Sequence, residues 1–510
     1  MAINLALRPN AGPEAARTAA SAVLRFKGLQ TEEEAYLAQI VRRGGDPKAQ
    51  SLAQEIATLR GRLATLHHSG GQAKQVEQLR HDLDARELSL GRLSRNYQRH
   101  LQVRNFNLRD LQQALPDRTA LLEIRQYRPI TFAPFSLSEP HWAGLLLTRD
   151  SIRVLDLGSV AETPQQVAVI LADVDGAAGR TAAQAPYAQL FGKLDDELAG
   201  LDRLYIAPDG ALHLVPFDAL LDAAGHRLAE RLDLRLLETG RDLLRPDPDR
   251  PAKGLIALGG INFGPPPVSP VPSTTAAATT PAPDVVILAQ SAAETVAQQR
   301  AAETLRSGFG PLAASKGEIE AIGIQYRVNR RDEPVELWSE QDASEARLKA
   351  LPRPPRVLHL ATHGFYRAAD RPQDRPMLLA GVALADANRA LREAGEDGIL
   401  YAIEAQGLNL EGTELVVLSA CETAQGQIDY AEGVSGLVRA FRTAGVRYVL
   451  AALRPVGDQG ASTFMQRFYH HWLAQAGSDP AAALRAAQVE AITAPEPHDP
   501  TWAYFSLVGG

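Results

Sequence analysis

Two short apolar runs in the carboxyl-terminal half of the chain predict buried strands. Leu415–Leu418 is a run of four apolar residues, too few for a buried helix and typical of a strand covered on both faces. Cys421 comes shortly after this run, and a similar run that begins after Arg356 ends in His363 and Gly364. We therefore expect the thiol and the imidazole at strand ends, where open α/β sheets bind their ligands.

Apolar runs alternate with helical patterns throughout residues 251–510. Besides the two runs above, we predict strands at 255–259, 335–338, 377–384, 448–453 and 502–507, and helices at 316–324, 342–351, 399–405, 431–444, 460–473 and 480–494. This alternation favours a mostly parallel sheet of about six strands with helices on both faces.

Residues 116–250 show a similar α/β pattern. Strands are predicted at 121–127, 142–147, 152–157, 203–207 and 232–237, with helices at 164–172 and 187–198. We interpret this region as a first α/β half with a sheet of its own. It contains no cysteine, so it cannot hold a second thiol site.

The amino-terminal region is predicted to be a disordered lead-in over residues 1–12 and helical over residues 13–115. Two apolar stripes at helical spacing support the second prediction: Leu52, Ile56, Leu59 and Leu63, then Val76, Leu79, Leu83, Leu90, Tyr97 and Leu101. The glycines at 70 and 71 suit the turn of an antiparallel helix pair. These helices either cover their own apolar stripes or form an arm on which another protein docks.

One segment of the second half, residues 264–283, is composed mainly of Pro, Ser, Thr and Ala. Such a composition buries too little apolar surface to order a chain, so we expect an exposed, flexible insertion. Two interpretations remain open, a passive insertion or a regulatory segment that is processed by proteolysis.

The composition restricts the class of protein. A chain of 55.0 kDa with 45% hydrophobic and 22% charged residues is typical of a soluble globular protein of about three domains. A net charge of −7 argues against a nucleic-acid binder, and the single cysteine excludes an intrachain disulfide and a cysteine-based zinc site. Because neither a signal peptide nor a run of ~20 apolar residues is visible, we expect a cytoplasmic protein without a membrane span.

Cys421 and His363 are the candidate catalytic residues. They lie 58 residues apart, enough for one crossover between neighbouring parallel strands. A thiol becomes a strong nucleophile only as thiolate, and a nearby imidazole can accept its proton and later protonate the leaving amine. The backbone N–H groups of Gly364 and Cys421 are candidates for an oxyanion hole. This chemistry needs neither a metal nor an organic cofactor.

Each of these residues taken alone has a simpler explanation. A lone cysteine is commonly a small buried hydrophobic residue, and a lone histidine is commonly structural. The matching positions at two strand ends, with a glycine that permits close approach of the backbone to a ligand, favour the catalytic interpretation.

The motifs Leu-His-Leu-Ala-Thr-His363-Gly-Phe and Leu-Ser-Ala-Cys421-Glu-Thr-Ala resemble those of the CHAT-domain family of caspase-like (clan CD) cysteine peptidases. The likeness covers roughly residues 115–510. It implies a caspase-like, mostly parallel sheet flanked by helices, a Cys421/His363 dyad in a catalytic half at 251–510, and a degenerate copy of that half at 116–250. Before these halves comes the amino-terminal helical hairpin region.

The resemblance also implies a function. Family members commonly carry an amino-terminal helical region that receives an activating protein partner, and several act in bacterial defence or cell death, where they cleave a partner such as a gasdermin or a regulator. The expected activity is therefore that of a latent cysteine endopeptidase with a protein substrate. The alternative is a catalytically silent, caspase-like interaction scaffold.

Substrate specificity is less readable from the sequence. Some caspase-like peptidases that cut after basic residues have an acidic residue two positions before the nucleophile, where this chain has Ser419. Asp458 or Glu432 could supply an acidic pocket instead, but either could equally bond to backbone or cap a helix.

Overall fold

The protein is described here from a computed structural model, which covers most of the chain with several gaps. The described residues are 1–27, 47–48, 51–52, 55–56, 58–59, 62–63, 73–93, 106–132, 135–245, 251–266, 308–366, 377, 379–391, 398–419, 427–474, 479–494 and 499–510. Cys421 and Glu422 lie outside them. Of the predicted insertion at 264–283, only residues 264–266 are described.

The described strands form one large sheet and two small ones. The strands are β1 (Thr119–Tyr127), β2 (Ile130–Phe132), β3 (Phe135–Leu137), β4 (His141–Leu147), β5 (Ile152–Ser159), β6 (Arg203–Ala207), β7 (Asp233–Leu236), β8 (Leu255–Ile261), β9 (Val335–Glu340), β10 (Val357–Leu360), β11 (Gly364–Tyr366), β12 (Ala380–Ala383), β13 (Ile399–Tyr401), β14 (Leu415–Leu418), β15 (Tyr448–Ala452) and β16 (Phe505–Gly509).

Helices flank the large sheet. They are α1 (Ala2–Ala6), α2 (Pro13–Phe26), α3 (Ala73–Leu93), α4 (Leu108–Ala114), α5 (Thr163–Ala172), α6 (Ala177–Leu190), α7 (Asp195–Leu198), α8 (Leu228–Arg231), α9 (Ser315–Asn329), α10 (Glu345–Lys349), α11 (Ala387–Ala390), α12 (Ala402–Ala405), α13 (Gln427–Thr443), α14 (Asp458–Ala474) and α15 (Pro480–Thr493). The predicted α/β class with a mostly parallel sheet flanked by helices is confirmed.

The large sheet has eleven strands in the order β5-β4-β1-β6-β7-β16-β15-β14-β10-β8-β9. Six of these strands belong to residues 251–510, the number that the sequence predicts for the second half. The prediction that the first half has a sheet of its own is wrong, because β7 pairs in parallel with β16 at Leu236 and Val508. β16 also runs antiparallel to β15, so the pairing at β7 leaves neither half with an exposed inner edge.

The apolar run that precedes Cys421 forms β14 and is buried on both faces. Leu415 and Val417 belong to a core that extends across both halves, whereas Val416 and Leu418 belong to a second core on the other face of the second half. All four residues are at most 3% exposed. This alternation explains why the strand is apolar throughout rather than at every second position.

One buried polar network lies in the first of these cores, where it ties the sheet to two helices. His359 of β10 has its Nε2 2.8 Å from a carboxylate oxygen of Glu318 in α9 and its Nδ1 3.1 Å from the hydroxyl of Tyr469 in α14. The three residues are at most 1% exposed. Burial, and next the Glu318 carboxylate, hold the pKa of Tyr469 well above its ordinary value.

The amino terminus is ordered, so the prediction of a disordered lead-in over residues 1–12 is wrong. Residues 2–6 form α1, in which Ile3 is buried. The Asn4 side chain donates to the carbonyl of Arg128 and accepts from the N–H of Ile130, at 3.0 and 2.8 Å. These backbone partners lie far away in sequence, which is why local composition did not reveal them.

A buried ion pair docks the end of α2 on the first half. The ammonium of Lys27 lies 2.8 Å from Glu123 of β1 and donates to the carbonyl of Ala207 at 2.7 Å. Both side chains are almost fully buried, and the other carboxylate oxygen of Glu123 accepts from the N–H of Gly240. Helix α2 therefore belongs structurally to the first half and not to a separate arm.

The described helical residues between 47 and 63 lie against α3. Members of both predicted stripes, Ile56, Leu63, Val76 and Leu83, are buried in the second core. Arg86 of α3 forms an ion pair with Glu55 at 2.6 Å, which links the two helical segments that carry the stripes.

We predict that His359→Leu lowers the free energy of unfolding by about 3–5 kcal/mol, because it leaves the buried Glu318 carboxylate without its imidazole partner. Chemical denaturation measures the loss. The double variant His359→Leu/Glu318→Leu removes both polar groups and should recover part of it. Equal losses in the single and the double variant would contradict the role assigned to this pair.

Candidate functional site

His363 lies in the three-residue connection between β10 and β11, and its ring packs against two aromatic rings that also contact each other. The centroid of the imidazole is 5.0 Å from that of Phe263 and 5.6 Å from that of Phe309. The histidine is 2% exposed. Phe263 follows β8 and Phe309 precedes α9, so two separate segments of the chain confine the ring.

The tautomer of His363 follows from a hydrogen bond to backbone. Its Nε2 lies 2.6 Å from the carbonyl oxygen of Gly310. Because a carbonyl oxygen only accepts, Nε2 carries a proton, and Nδ1 is the basic nitrogen of the neutral ring. The sequence gives no sign of this role of Gly310, because a backbone carbonyl has no residue signature and the position is 53 residues away from the histidine.

Gly364, the predicted oxyanion donor, is the first residue of β11, an outer strand of the three-stranded sheet β11-β12-β13 formed by the described residues. The N–H of Ala383 donates to the carbonyl of His363 at 2.8 Å, and Gly364 faces Val382 at the next position. Hydrogen-bonded and non-bonded pairs alternate along an antiparallel ladder. The N–H of Gly364 therefore points away from β12, as an oxyanion donor requires.

Strands β10 and β14, which precede His363 and Cys421, are parallel neighbours. Their register runs from Val357 opposite Leu415 to Leu360 opposite Leu418. His363 comes three residues after the end of β10, and Cys421 comes three residues after the end of β14. Adjacent strands lie about 4.8 Å apart, so the two strand ends meet at one edge of the sheet. Cys421 itself lies outside the described residues, and the dyad stays a prediction.

The three residues proposed for a specificity pocket are placed differently. Ser419 directly follows β14 and is 1% exposed. Asp458 begins α14, and its carboxylate accepts a hydrogen bond from the N–H of Ala314 at 2.5 Å. Glu432 falls in α13, and its side chain lies outside the described residues. Asp458 thus makes the backbone bond that was its alternative role, and the acidic pocket stays a prediction.

A small cavity of about 20 Å³ lies between the two halves, at the carboxyl ends of β6, β7 and β15. Its lining includes His213 and Glu238 from the first half and Ser435 and Ser506 from the second. Burial raises the pKa of Glu238. Burial, the Lys27 ammonium and the Arg439 guanidinium lower the pKa of His213 to about 3. Neither His363 nor the residues around it line this cavity.

No cluster of three or more potential metal ligands occurs among the described residues. In that part of the chain, no helix combines the length and apolarity needed to cross a bilayer.

We predict that His213 makes the protein less stable in mild acid. Its folded-state pKa lies below the ordinary value of about 6.5, so the unfolded chain takes up a proton that the folded protein does not. This contribution to stability is complete above pH ~6.5 and is lost as the pH falls towards about 3, by at most ~1.4 kcal/mol per pH unit. His213→Gln should therefore lose less stability than the wild type between pH 7 and pH 5.

Denaturant unfolding at the two pH values measures this difference. The exposed His470 provides the control, because His470→Gln makes the same chemical change outside the cavity. The same pH dependence in wild type and His213→Gln would contradict the prediction.

Comparison with known proteins shows that the chain is similar to one protein family and to distantly related solved structures. The CHAT domain family matches residues 180–510. Tetratricopeptide repeat protein 28 of Mus musculus is 36% identical over 98 residues, which are 19% of this chain and 4% of the length of that protein.

The solved structures similar to this chain include two of the Saccharomyces cerevisiae separase–securin complex. One has a TM-score of 0.42 and 9% identity, with 85% of this chain and 33% of the other chain covered. The second has a TM-score of 0.31 and 11% identity, with 91% and 27% covered. This chain therefore spans about a third or less of the lengths of these relatives.

Proposed function

The chain belongs to the CHAT domain family, and we propose that it is a cysteine endopeptidase with Cys421 as nucleophile and His363 as general base and acid. One observation carries the proposal: the strands before these two residues are paired in register, beside an imidazole whose Nε2 is held by the Gly310 carbonyl. A nucleophile, a base and a group that orients the base are the parts that such chemistry needs.

In the proposed mechanism, the proton of the Cys421 thiol passes to Nδ1 of His363 and the thiolate attacks the scissile carbonyl carbon. A carbon–sulfur bond forms, and the N–H groups of Gly364 and Cys421 donate to the resulting oxyanion. As the carbon–nitrogen bond breaks, His363 returns the proton to the leaving amine. Water then hydrolyses the thioester, which releases the carboxylate product and the free thiol.

The burial of His363 supports a latent enzyme. With 2% of its surface exposed, the imidazole cannot meet a peptide substrate until the surrounding segments rearrange. By resemblance to other members of the family, we propose that a protein partner docking on the amino-terminal helices triggers this change. On the same grounds, the substrate is a partner protein, a gasdermin-like protein or a regulator, in a bacterial defence or cell-death pathway.

The same burial favours a second candidate function, a catalytically silent interaction scaffold. In that case, His363 is a core histidine whose hydrogen bond to Gly310 only stabilises the fold. The two functions differ in whether the imidazole changes the reactivity of the thiol.

Alkylation of Cys421 with iodoacetamide, followed by intact mass spectrometry, tests the proposal. Because Cys421 is the only cysteine, every thiol alkylation reports on it. We expect His363→Ala to slow alkylation at pH 6.5 by about 10²-fold, since a base typically contributes 10²–10⁴-fold. The rates should converge at pH 9.5, where a free thiol with a pKa of ~8.5 ionises unaided.

His470→Ala is the matched control, because His470 is exposed on α14 and the same substitution there should leave the rate unchanged. Equally slow alkylation at pH 6.5 in wild type and His363→Ala would reject the dyad and favour the scaffold. A peptide library incubated with the protein and its Cys421→Ser variant would then define the residue that precedes the cut.

A further inference from the structure

Asn388, a fully buried residue of α11, connects two distant segments of the chain through its side-chain amide. Its Oδ1 accepts from the N–H of Phe309 at 2.7 Å. Its Nδ2 donates to the carbonyls of Phe309 and Gly264 at 3.0 and 2.9 Å. The backbone N–H of Asn388 also donates to the carbonyl of Phe263 at 2.8 Å.

Both segments bound by Asn388 contact the proposed base directly. Phe263 and Phe309 are the aromatic residues that confine the imidazole of His363. The side-chain amide of Asn388 bonds the backbone of Phe309, and the next residue, Gly310, supplies the carbonyl that accepts from Nε2 of His363. The Asn388 side chain therefore fixes the two phenylalanines that contact the imidazole of His363. Through a single peptide unit, it also fixes the Gly310 carbonyl, the acceptor that sets the tautomer of His363.

The chemistry of the amide matches this task. The two segments present one buried N–H and two carbonyls towards residue 388, and a carboxamide offers one acceptor and two donors. Leucine has a similar volume and would leave all three groups without these bonds, and a buried polar group that stays unsatisfied is destabilising. Aspartate would keep the acceptor but place a second oxygen against the two carbonyls.

We propose that Asn388 is a positioning residue for His363: by holding the backbone of Phe309, which is bonded to Gly310, it keeps the imidazole oriented with Nδ1 as the basic nitrogen. The inference rests on the proposed cysteine peptidase function and deepens it. In this role, the effect of Asn388 on His363 is transmitted through the two segments that it holds, the backbone at Phe263–Gly264 and the backbone at Phe309–Gly310.

The pH profile of Cys421 alkylation tests this role in the full-length protein. In Asn388→Leu and Asn388→Asp, we expect the rate at pH 6.5 to fall about 10-fold or more, while the rate at pH 9.5 stays that of the wild type. A purely structural role would not produce this pattern, since general loosening changes access to the thiol at both pH values.

Gln406 of the same half supplies the matched control. Its amide is also buried, at 2% exposure, and donates to the carbonyl of Ile403 at 3.0 Å, away from the two segments. Gln406→Met should retain the wild-type ratio of the rates at pH 6.5 and pH 9.5. Thermal unfolding of each variant identifies any that has lost its fold, and the more conservative Asn388→Asp is then compared in place of Asn388→Leu.

The outcomes separate this inference from the proposed function. If His363→Ala slows alkylation at pH 6.5 but neither folded Asn388 variant does, the positioning role is overturned and the dyad stands. A loss of equal size at both pH values also overturns it, because the base would not be what changed. If His363→Ala itself has no effect, the proposed function fails, and the role of Asn388 fails with it.

Discussion

The parallel pairing of β10 with β14 is the constraint on which the candidate site depends. The ladder from Val357 opposite Leu415 to Leu360 opposite Leu418 allows no slip, because moving one strand by a residue would turn its side chains from one core to the other. Since both faces of β14 are buried in different cores, such a slip would disturb both of them. Hydrophobic burial thus sets the register, and the register sets the level at which the two strands end.

The first half, which is connected to the second by the pairing of β7 with β16, also stabilises this arrangement. Arg442 near the end of α13, the helix that follows the Cys421 segment, bonds Asp242 of the first half at 3.0 Å, and both side chains are buried. Against burial, which acts to raise it, Arg442 and then Arg245 hold the pKa of Asp242 below its ordinary value. The buried guanidinium and carboxylate therefore tie α13 to the first half. The first half, which contains no cysteine, therefore has a structural role in the protein.

Sequence patterns reveal those parts of this molecule that depend on local chemistry. A continuous apolar run identifies β14, and the strand-end position of His363 follows from the same kind of run. The patterns do not reveal what His359 and His363 contact. The strand ends at Leu360 between them, and the first imidazole turns to α9 and α14 while the second turns to Phe263 and Phe309. The Gly310 carbonyl, the contacts of Asn388 and the joint between the halves depend on pairings that only the folded chain creates.

The distribution of bonds indicates where a latent site of this kind can change. The strands around β14 are held by ladders on both sides and by two cores, so opening the sheet would cost much of the stability of the second half. The surroundings of His363 are held in part by hydrogen bonds from single side chains, among them those of Asn388 and the bond from the Thr362 hydroxyl to the carbonyl of Ala383. Each such bond contributes only about 0.5–1.5 kcal/mol net. A partner whose affinity differs between two arrangements by a few kcal/mol can therefore shift these segments and leave the sheet intact. For the proposed latent enzyme, activation by local rearrangement at the sheet edge is thus energetically accessible, whereas activation by reorganising the sheet is not.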